Sequence, residues 1–337
     1  MPVNVAVVGA AGAVGREVVR LLEERDFPVG RLLLMATART AGQTLTFRGR
    51  PQLIQPVSTD LFESVDLAFF AVPADVSRAL APEAVKRGAV VVDKSTAFRE
   101  DPDVPLVVPE VNAGALAGHP GIVASPNCST IQLVLPLRAL EDLSPLRRVI
   151  VSTYQSVSGT GREAVEELRR QSAEVLQGLP VRPEVYPHPI AFNVLPHIDA
   201  FEADGYTREE MKLVNETRKI LGRPDLALSA TTVRVPVEVG HSEAVWVETE
   251  DPVGPDEARE AMARMPGIVV QDDPAGAVYP LPRSAAGRDE VFVGRVRRDL
   301  SSDRGLVFWV VADNLRKGAA TNAVQIAELL VGRGPGG

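Results

Sequence analysis

The sequence predicts an α/β protein of two domains, one built on a parallel sheet and the other an α+β domain on a largely antiparallel or mixed sheet. Three observations carry this. The first stretch of chain alternates continuous apolar runs with helical periodicity, the mark of parallel strands covered on both faces. After Ser125 the strand-like segments alternate apolar and polar residues, as in a sheet with one covered face. A chain of 337 residues exceeds one typical core and suits two.

The elements follow in order. Val3–Val8 reads as the first strand, and residues 16–24 as a helix that sets Val18, Val19, Leu21 and Leu22 at helical spacing. Residues 32–35 and 67–72 are apolar strands, and residues 77–87 form a helix leading to a strand at 89–92. Short strands at 106–108 and Ile122–Ala124 complete the first sheet. Residues 130–140 read as a buried helix. Strands at 148–153, 231–237 and 244–250 then alternate with helices at 162–177, Arg208–Leu221 and 255–265. Residues 179–193 are rich in proline and read as irregular loop. A last helix at 318–330 returns to the first domain. The expected division is residues 1–127 with 315–337, and residues 128–314. The GRGPGG tail is expected to fray.

Composition narrows the partners. A formal net charge of −8 repels phosphate backbones, which argues against nucleic acid. One cysteine excludes an internal disulfide and suits a reducing compartment. The opening MPVNVAVVGAAG reads as a strand and not as a signal peptide, and no apolar stretch is long enough to span a bilayer. The expectation is a cytoplasmic protein without a membrane partner.

Gly9, Gly12 and Gly15 form a G-x-x-G-x-x-G pattern between the first strand and the first helix, with Ala11, Ala13 and Val14 along the same turn. Such glycines permit the tight turn, the approach of backbone to a pyrophosphate and close packing of helix on sheet. The diphosphate would meet N–H groups at the helix N-terminus. The pattern points to a Rossmann-type nucleotide domain, against the plainer reading of an ordinary strand–helix turn. An NAD site usually carries an acidic residue at the end of the second strand. Here the run is Met35-Ala36-Thr37-Ala38-Arg39-Thr40, with no acid. The Arg39 fork and the hydroxyls of Thr37 and Thr40 suit a 2′-phosphate, hence NADP. A solvated loop arginine is the competing reading.

Cys128 stands in Ser125-Pro126-Asn127-Cys128-Ser129-Thr130, just before the buried helix. A helix N-terminus favours thiolate, the nucleophile that attacks an aldehyde or acyl phosphate. A single cysteine is more often a small buried apolar residue, but polar neighbours on both sides argue against that. Thiol chemistry needs an acid or base, and the chain has four histidines, His119, His188, His197 and His241. Composition does not choose among them. The reading includes no metal site.

The segments GAAGAVGRE (9–17), ATARTAG (36–42), VVDKSTAFREDPDVPLVVPEVN (91–112), SPNCSTIQ (125–132), STYQSVSGTG (152–161), EEMK (209–212), TVRVPVEVGHSE (232–243) and DNLRKGAATNA (313–323) resemble the aspartate-β-semialdehyde dehydrogenase family, in order and over nearly the whole chain. The resemblance implies an acyl-thioester role for Cys128, an acid/base role for His241 and a place beside the thiol for Gln155. It implies that Arg234 holds the substrate carboxylate and Arg99 the phosphate, with Asn127 and Lys212 as further phosphate contacts. Glu209 would meet the amino group, and Ser158, Gly159 and Asn314 the cofactor. Arg234 on a strand can grip a carboxylate with two hydrogen bonds. As an ordinary surface arginine it would turn Val233 and Val235 to the core. Glu209 and Lys212 share a helix face at i, i+3, which more commonly marks a solvated pair.

The implied activity is NADPH-dependent reduction of aspartyl phosphate to aspartate semialdehyde and phosphate through a cysteine thioester, in lysine, threonine, methionine and diaminopimelate biosynthesis. The expected assembly is a homodimer, with a homotetramer as the alternative. Two rivals stand beside it. N-acetyl-γ-glutamyl-phosphate reductase shares the chemistry but sets its cysteine differently. A non-catalytic nucleotide-binding relative would have lost the thiol or the histidine, and both are present here.

Overall fold

The computed structural model describes residues 2–332. Of the GRGPGG tail only Gly332 falls within them, so the expected fraying lies outside the described residues. The chain divides into two compact units. One holds the chain up to Asn127 and again from Ala319, and the other is Cys128–Gly318.

The first unit runs β1 (Val3–Val8), α1 (Ala13–Glu24), β2 (Val29–Ala36), β3 (Thr44–Phe47), β4 (Arg50–Pro56), β5 (Leu67–Phe70), α2 (Ala74–Lys86), β6 (Val90–Asp93), α3 (Pro109–Asn112) and β7 (Ile122–Ala124). Its sheet has the order β3-β4-β2-β1-β5-β6-β7, with only the β3–β4 pair antiparallel. The Rossmann-type parallel sheet is therefore present, with the strand order reversing at β1. Val18, Val19, Leu21 and Leu22 bury one face of α1 against β-strand residues such as Val5, Val7 and Leu34. Each such side chain contributes about 1.5–3 kcal/mol by leaving water.

The second unit runs α4 (Cys128–Glu141), β8 (Leu146–Gln155), α5 (Arg162–Leu176), α6 (Arg208–Leu221), β9 (Ala227–Arg234), β10 (His241–Thr249), α7 (Pro255–Arg264), β11 (Ile268–Val270), α8 (Pro282–Ala285), β12 (Val291–Arg298) and β13 (Gly305–Ala312). Its sheet is mixed, in the order β11-β12-β13-β10-β8-β9. The pairs β11–β12 and β8–β9 are parallel and the others antiparallel. α4 is buried nearly all round and packs on β8, β10, β12 and β13. It covers the face that carries Val149, Val151, Thr153 and Gln155 of β8 and His241, Glu243, Val245 and Val247 of β10, all buried. The alternate residues, with Ile150 and Trp246 among them, remain on an exposed face. The alternation in the sequence thus corresponds to one covered face.

α9 (Thr321–Leu330) belongs to the first unit. Nδ2 of Asn322 donates to the Val107 carbonyl and to Ser125 Oγ, both at 3.0 Å. Arg25 grips Glu328 through two bonds of 2.8 Å.

Four expectations need correction. Residues 106–108 make only a bridge, Leu106 to Ala124, because Pro105 and Pro109 bracket them and Pro109 opens a helical turn. The strand expected at 231–237 ends at Arg234, since Pro236 has no N–H to offer a ladder. The helix expected from 318 starts as α-helix only at Thr321, after a wide turn at Arg316–Ala320. The strands β3, β4, β11, β12 and β13 had no expected counterpart; β3 and β11 are very short, and β12 mixes arginine and glycine into its apolar positions.

Gly9 has φ +88°, and a Cβ there would meet the Ala71 carbonyl oxygen at 2.2 Å. The Gly9→Ala variant should lose at least about 2 kcal/mol of stability from left-handed strain plus overpacking. Chemical denaturation checks this, and a midpoint equal to the parent's contradicts it.

Candidate active site

Cys128 is the first residue of α4, so the fold places the thiol at a helix N-terminus with no acidic residue in the first turn. Gly318 lies against it: a Cβ on Gly318 would sit 3.0 Å from the Cys128 Cβ. The glycine lets the turn before α9 pass close to the thiol-bearing turn.

His241 opens β10 and is fully buried. The Ser156 backbone N–H donates to His241 Nδ1 at 3.0 Å, and the Ser156 hydroxyl lies 3.1 Å from the same nitrogen. A nitrogen that accepts a backbone N–H carries no proton, so the neutral ring is the Nε2–H tautomer. Burial, reinforced by the nearby Arg234 charge, holds the imidazole well below its ordinary pKa. Among the described residues Nε2 has no hydrogen-bond partner. The ring is therefore a neutral donor aimed at something outside its own hydrogen-bond network.

Arg234 ends β9 and is buried, not turned to the surface. Gln155 is its register partner on β8. Arg234 Nη1 donates to the Ser156 carbonyl at 2.7 Å, its guanidinium lies 6.0 Å from the Tyr186 ring centroid, and its Nε is unpartnered. Gly159 brings these groups together. A Cβ there would stand 3.0 Å from Arg234 Nη1 and 3.3 Å from His241 Nε2. One small volume beside a bare backbone is thus faced by a cation and an imidazole N–H.

Gln155 Nε2 donates to Glu209 Oε1 at 3.2 Å and to Thr153 Oγ1 at 3.3 Å. Lys212 Nζ donates to Glu209 Oε2 at 3.1 Å and to Asp199 Oδ2 at 2.7 Å. Burial opposes the Lys212 charge, but Glu209 and Asp199 outweigh it and raise its pKa; burial likewise opposes the Asp199 charge, and the Lys212 bond outweighs it. The pair is therefore part of a charge cluster that runs from buried Glu209 through half-buried Lys212 to exposed Asp199. α6 is held in place by a capping box: Thr207 N–H donates to Glu210 Oε2 at 2.8 Å, and Glu210 N–H to Thr207 Oγ1 at 3.3 Å. Glu210 Oε1 also accepts from the Thr232 N–H of β9 at 2.9 Å.

Ser158 and Asn314 are buried and bonded to each other, Asn314 Nδ2 to Ser158 Oγ at 2.9 Å. Asn314 Oδ1 also accepts from Ser156 Oγ at 3.0 Å and Gly240 N–H at 2.9 Å. In this arrangement Asn314 fastens the 156–159 turn. Ser156 and Asp199 were not picked out from the sequence. Ser156 stood only inside a matched segment, and the Asp199 loop carries no signal.

The other candidates lie on the first unit. Arg99 is buried and its Nη2 donates to the Lys94 carbonyl at 2.7 Å; Asn127 is also buried. Gly12 and Ala13 are exposed at the start of α1, with Ala11 and Val14 half-buried. Gly12 caps α1 with no side-chain bond, and its first turn has no acid. This open N-terminus fits a dinucleotide diphosphate. Arg39 and Thr37 are exposed on the turn after β2, and the Thr37 and Thr40 hydroxyls are 3.5 Å apart. Among the described residues no three His, Cys, Asp or Glu side chains cluster as a metal site would require.

Comparison with known proteins gives the family. Residues 4–119 match the family described as semialdehyde dehydrogenase, NAD binding domain, and residues 136–317 match semialdehyde dehydrogenase, dimerisation domain. The chain is 50% identical to an aspartate-semialdehyde dehydrogenase of Aquifex aeolicus over 338 residues, covering 99% of each chain. It is 49% identical to that of Bacillus subtilis, covering 97% of each. The solved structure of aspartate semialdehyde dehydrogenase II from Vibrio cholerae complexed with ASA superposes with a TM-score of 0.96 at 46% identity and 98% coverage of both chains. The enzyme of Candida albicans, solved with NADP, matches with a TM-score of 0.76 at 25% identity over 98% of this chain and 99% of its own. The chain belongs to the aspartate-semialdehyde dehydrogenase family.

Gly159 has an ordinary backbone conformation, so alanine is permitted there by φ. Gly159→Ala should keep the parent's melting temperature to within a few degrees. It should lower kcat/KM by about tenfold or more by filling the volume that Arg234 and His241 face. Steady-state kinetics with a melting curve checks this, and parental kinetics would contradict it.

Proposed function

We propose that the protein is an NADP-dependent phosphorylating aldehyde dehydrogenase that reduces aspartyl phosphate to aspartate semialdehyde and phosphate. The observation that carries this reading is the convergence of Arg234 Nη1 and His241 Nε2 beside Gly159, in the unit whose α4 begins at Cys128. The near-full-length likeness to aspartate-semialdehyde dehydrogenases supports the substrate.

The thiolate of Cys128 attacks the acyl carbon, a C–S bond forms, and the C–O bond to phosphate breaks. Phosphate leaves and takes its proton from solvent. NADPH, when bound, supplies hydride to the thioester carbon. The C–S bond then breaks as the carbonyl re-forms, which releases the aldehyde and restores the thiolate. The oxygen carries negative charge at both tetrahedral stages. His241 Nε2–H donates a hydrogen bond to it at each stage, and the neutral ring steadies the charge without giving up that proton. Gln155 supports the same oxygen once its Nε2 turns from Thr153 or Glu209. Arg234 holds the α-carboxylate by two bonds. Glu209 takes the amino group. Arg99, Asn127 and Lys212 hold the phosphate; for Lys212 this takes the third ammonium N–H beside those given to Asp199 and Glu209.

On the cofactor side, Gly9, Ala11, Gly12, Ala13 and Val14 would cradle the diphosphate. Arg39, Thr37 and Thr40 would hold a 2′-phosphate, and Ser158, Gly159 and Asn314 would line the nicotinamide end. The proposed domains, 1–127 with 315–337 and 128–314, differ from the two compact units by placing residues 315–318 with the nucleotide domain. The exposed sheet face with Ile150 and Trp246 is the surface for a homodimer, or for one interface of a homotetramer. No described helix is long and apolar enough to cross a membrane. A cytoplasmic location without nucleic-acid partners fits the lone cysteine and the net charge of −8.

The test is NADPH formation from aspartate semialdehyde, phosphate and NADP. Cys128→Ala should lose at least about 10³-fold in kcat, and full activity would overturn the reading. Arg234→Lys should raise KM for aspartate semialdehyde about tenfold through loss of the two-pronged contact, and an unchanged KM would overturn that assignment. On the cofactor side, Arg39→Ala should raise KM for NADP about tenfold and leave the NAD rate alone. Equal rates of the parent with NAD and NADP would contradict the specificity.

A further inference from the structure

Glu243 is a fully buried carboxyl that the mechanism above does not use. It follows His241 by two residues on β10, so the two side chains share the covered face. Its register neighbours are Thr153 on β8 and Val310 on β13. Among the described residues neither of its carboxyl oxygens makes a well-aligned hydrogen bond, although the Gln132 amide lies near enough to act on it. The polar side chain beside it is Gln132, and no cation acts on it among the described residues.

Gln132 is one helical turn after Cys128 on α4, on the same helix face. Its Nε2 lies 3.4 Å from the His241 carbonyl oxygen, to which it donates. Its Oε1 is buried and has no donor. Turning the amide over would aim two oxygens at one another at the His241 carbonyl. The orphaned groups are therefore an amide oxygen and a carboxyl, and an amide oxygen can only accept. An ionised carboxylate can only accept as well, so it leaves both unsatisfied. One proton on Glu243 satisfies both at once. An isolated buried carboxylate is also very costly, while a neutral acid is not. Burial pushes the Glu243 carboxyl well above the usual carboxylate range, offset only in part by Gln132.

We propose that Glu243 is a positioning residue: its O–H donates to Gln132 Oε1, and Gln132 in turn holds the His241 carbonyl. The link ties the turn of α4 that carries Cys128 to the strand that carries His241. It fixes the spacing of thiol and imidazole without touching substrate or cofactor. This rests on the assignment of Cys128 and His241 as the reacting pair.

Three variants and one spectrum test it. Glu243→Gln keeps the shape and a donor to Gln132 Oε1 without a charge. It should hold kcat within about threefold of the parent and melt no lower. Glu243→Leu removes the donor and should lower kcat about tenfold or more, with KM for aspartate semialdehyde and NADP within about twofold. Gln132→Leu should show the same split, and the double variant Gln132→Leu/Glu243→Leu should be no worse than either single one. If Glu243→Leu does not fold, the glutamine variant and infrared difference spectra of the folded parent decide. The spectrum should contain a carboxylic-acid carbonyl band at neutral pH that is missing in Glu243→Gln. Absence of that band, a glutamine variant as impaired as the leucine variant, parental kcat in a folded leucine variant, or a fall in affinity with kcat intact would each overturn the proposal. Retained activity in Cys128→Ala would instead remove the reacting pair, and the positioning role with it, while leaving the infrared result to stand on its own.

Discussion

The hydrogen bond from the Ser156 backbone N–H to Nδ1 of His241 is the constraint on which the proposed chemistry depends. It decides which ring nitrogen carries the proton, and a backbone donor cannot be switched off by a side-chain rotation. The Ser156 carbonyl meanwhile accepts from Arg234, so one residue orients both the imidazole and the guanidinium. Asn314 steadies that residue in turn, accepting from the Ser156 hydroxyl and from the Gly240 N–H that precedes His241. A glycine at 159 is then required, because the two oriented groups converge where a side chain would stand.

The mixed sheet separates two tasks by its pleat. On β8 and β10 one set of alternate residues faces α4 and includes Gln155, His241 and Glu243. The other set includes Ile150 and Trp246 and is open to association. Adjacent positions on one strand can thus serve the reaction and the surface without competing. A slip of one residue in register would exchange them, so the long β8–β10 pairing, from Tyr154–Ser242 to Arg148–Glu248, protects the site as well as the fold.

Much of the fold was legible in the chain. Apolar runs such as residues 67–72 and the glycine turn at 9–15 marked the parallel sheet, and the alternation after Ser125 marked a sheet with one covered face. The hairpin β3–β4 and the strands β11, β12 and β13 escaped: β3 and β11 are very short, and Val291–Arg298 mixes arginine and glycine into its apolar positions. Cys128 could be picked out as a lone thiol in a polar, helix-starting context. His241 could not be distinguished from His119, His188 and His197 by local chemistry, since its burial and its Ser156 contact come from residues 85 positions away. Family likeness chose it. The tautomer, the Gly159 convergence and the Asp199 contact to Lys212 arise from tertiary packing and leave no local trace.

The central claim is that Cys128 carries an aspartyl thioester. It is tested most directly by mixing the protein with aspartate semialdehyde and NADP in the absence of phosphate, quenching in acid and mapping the peptides by mass spectrometry. Hydride leaves the thiohemiacetal for NADP, and without phosphate the acyl group has no acceptor but water. The account predicts an aspartyl adduct on the peptide containing Cys128, formed together with one equivalent of NADPH and lost on adding phosphate. NADPH formation at the full rate with the Cys128 peptide unmodified, or an adduct on any other residue, would contradict it.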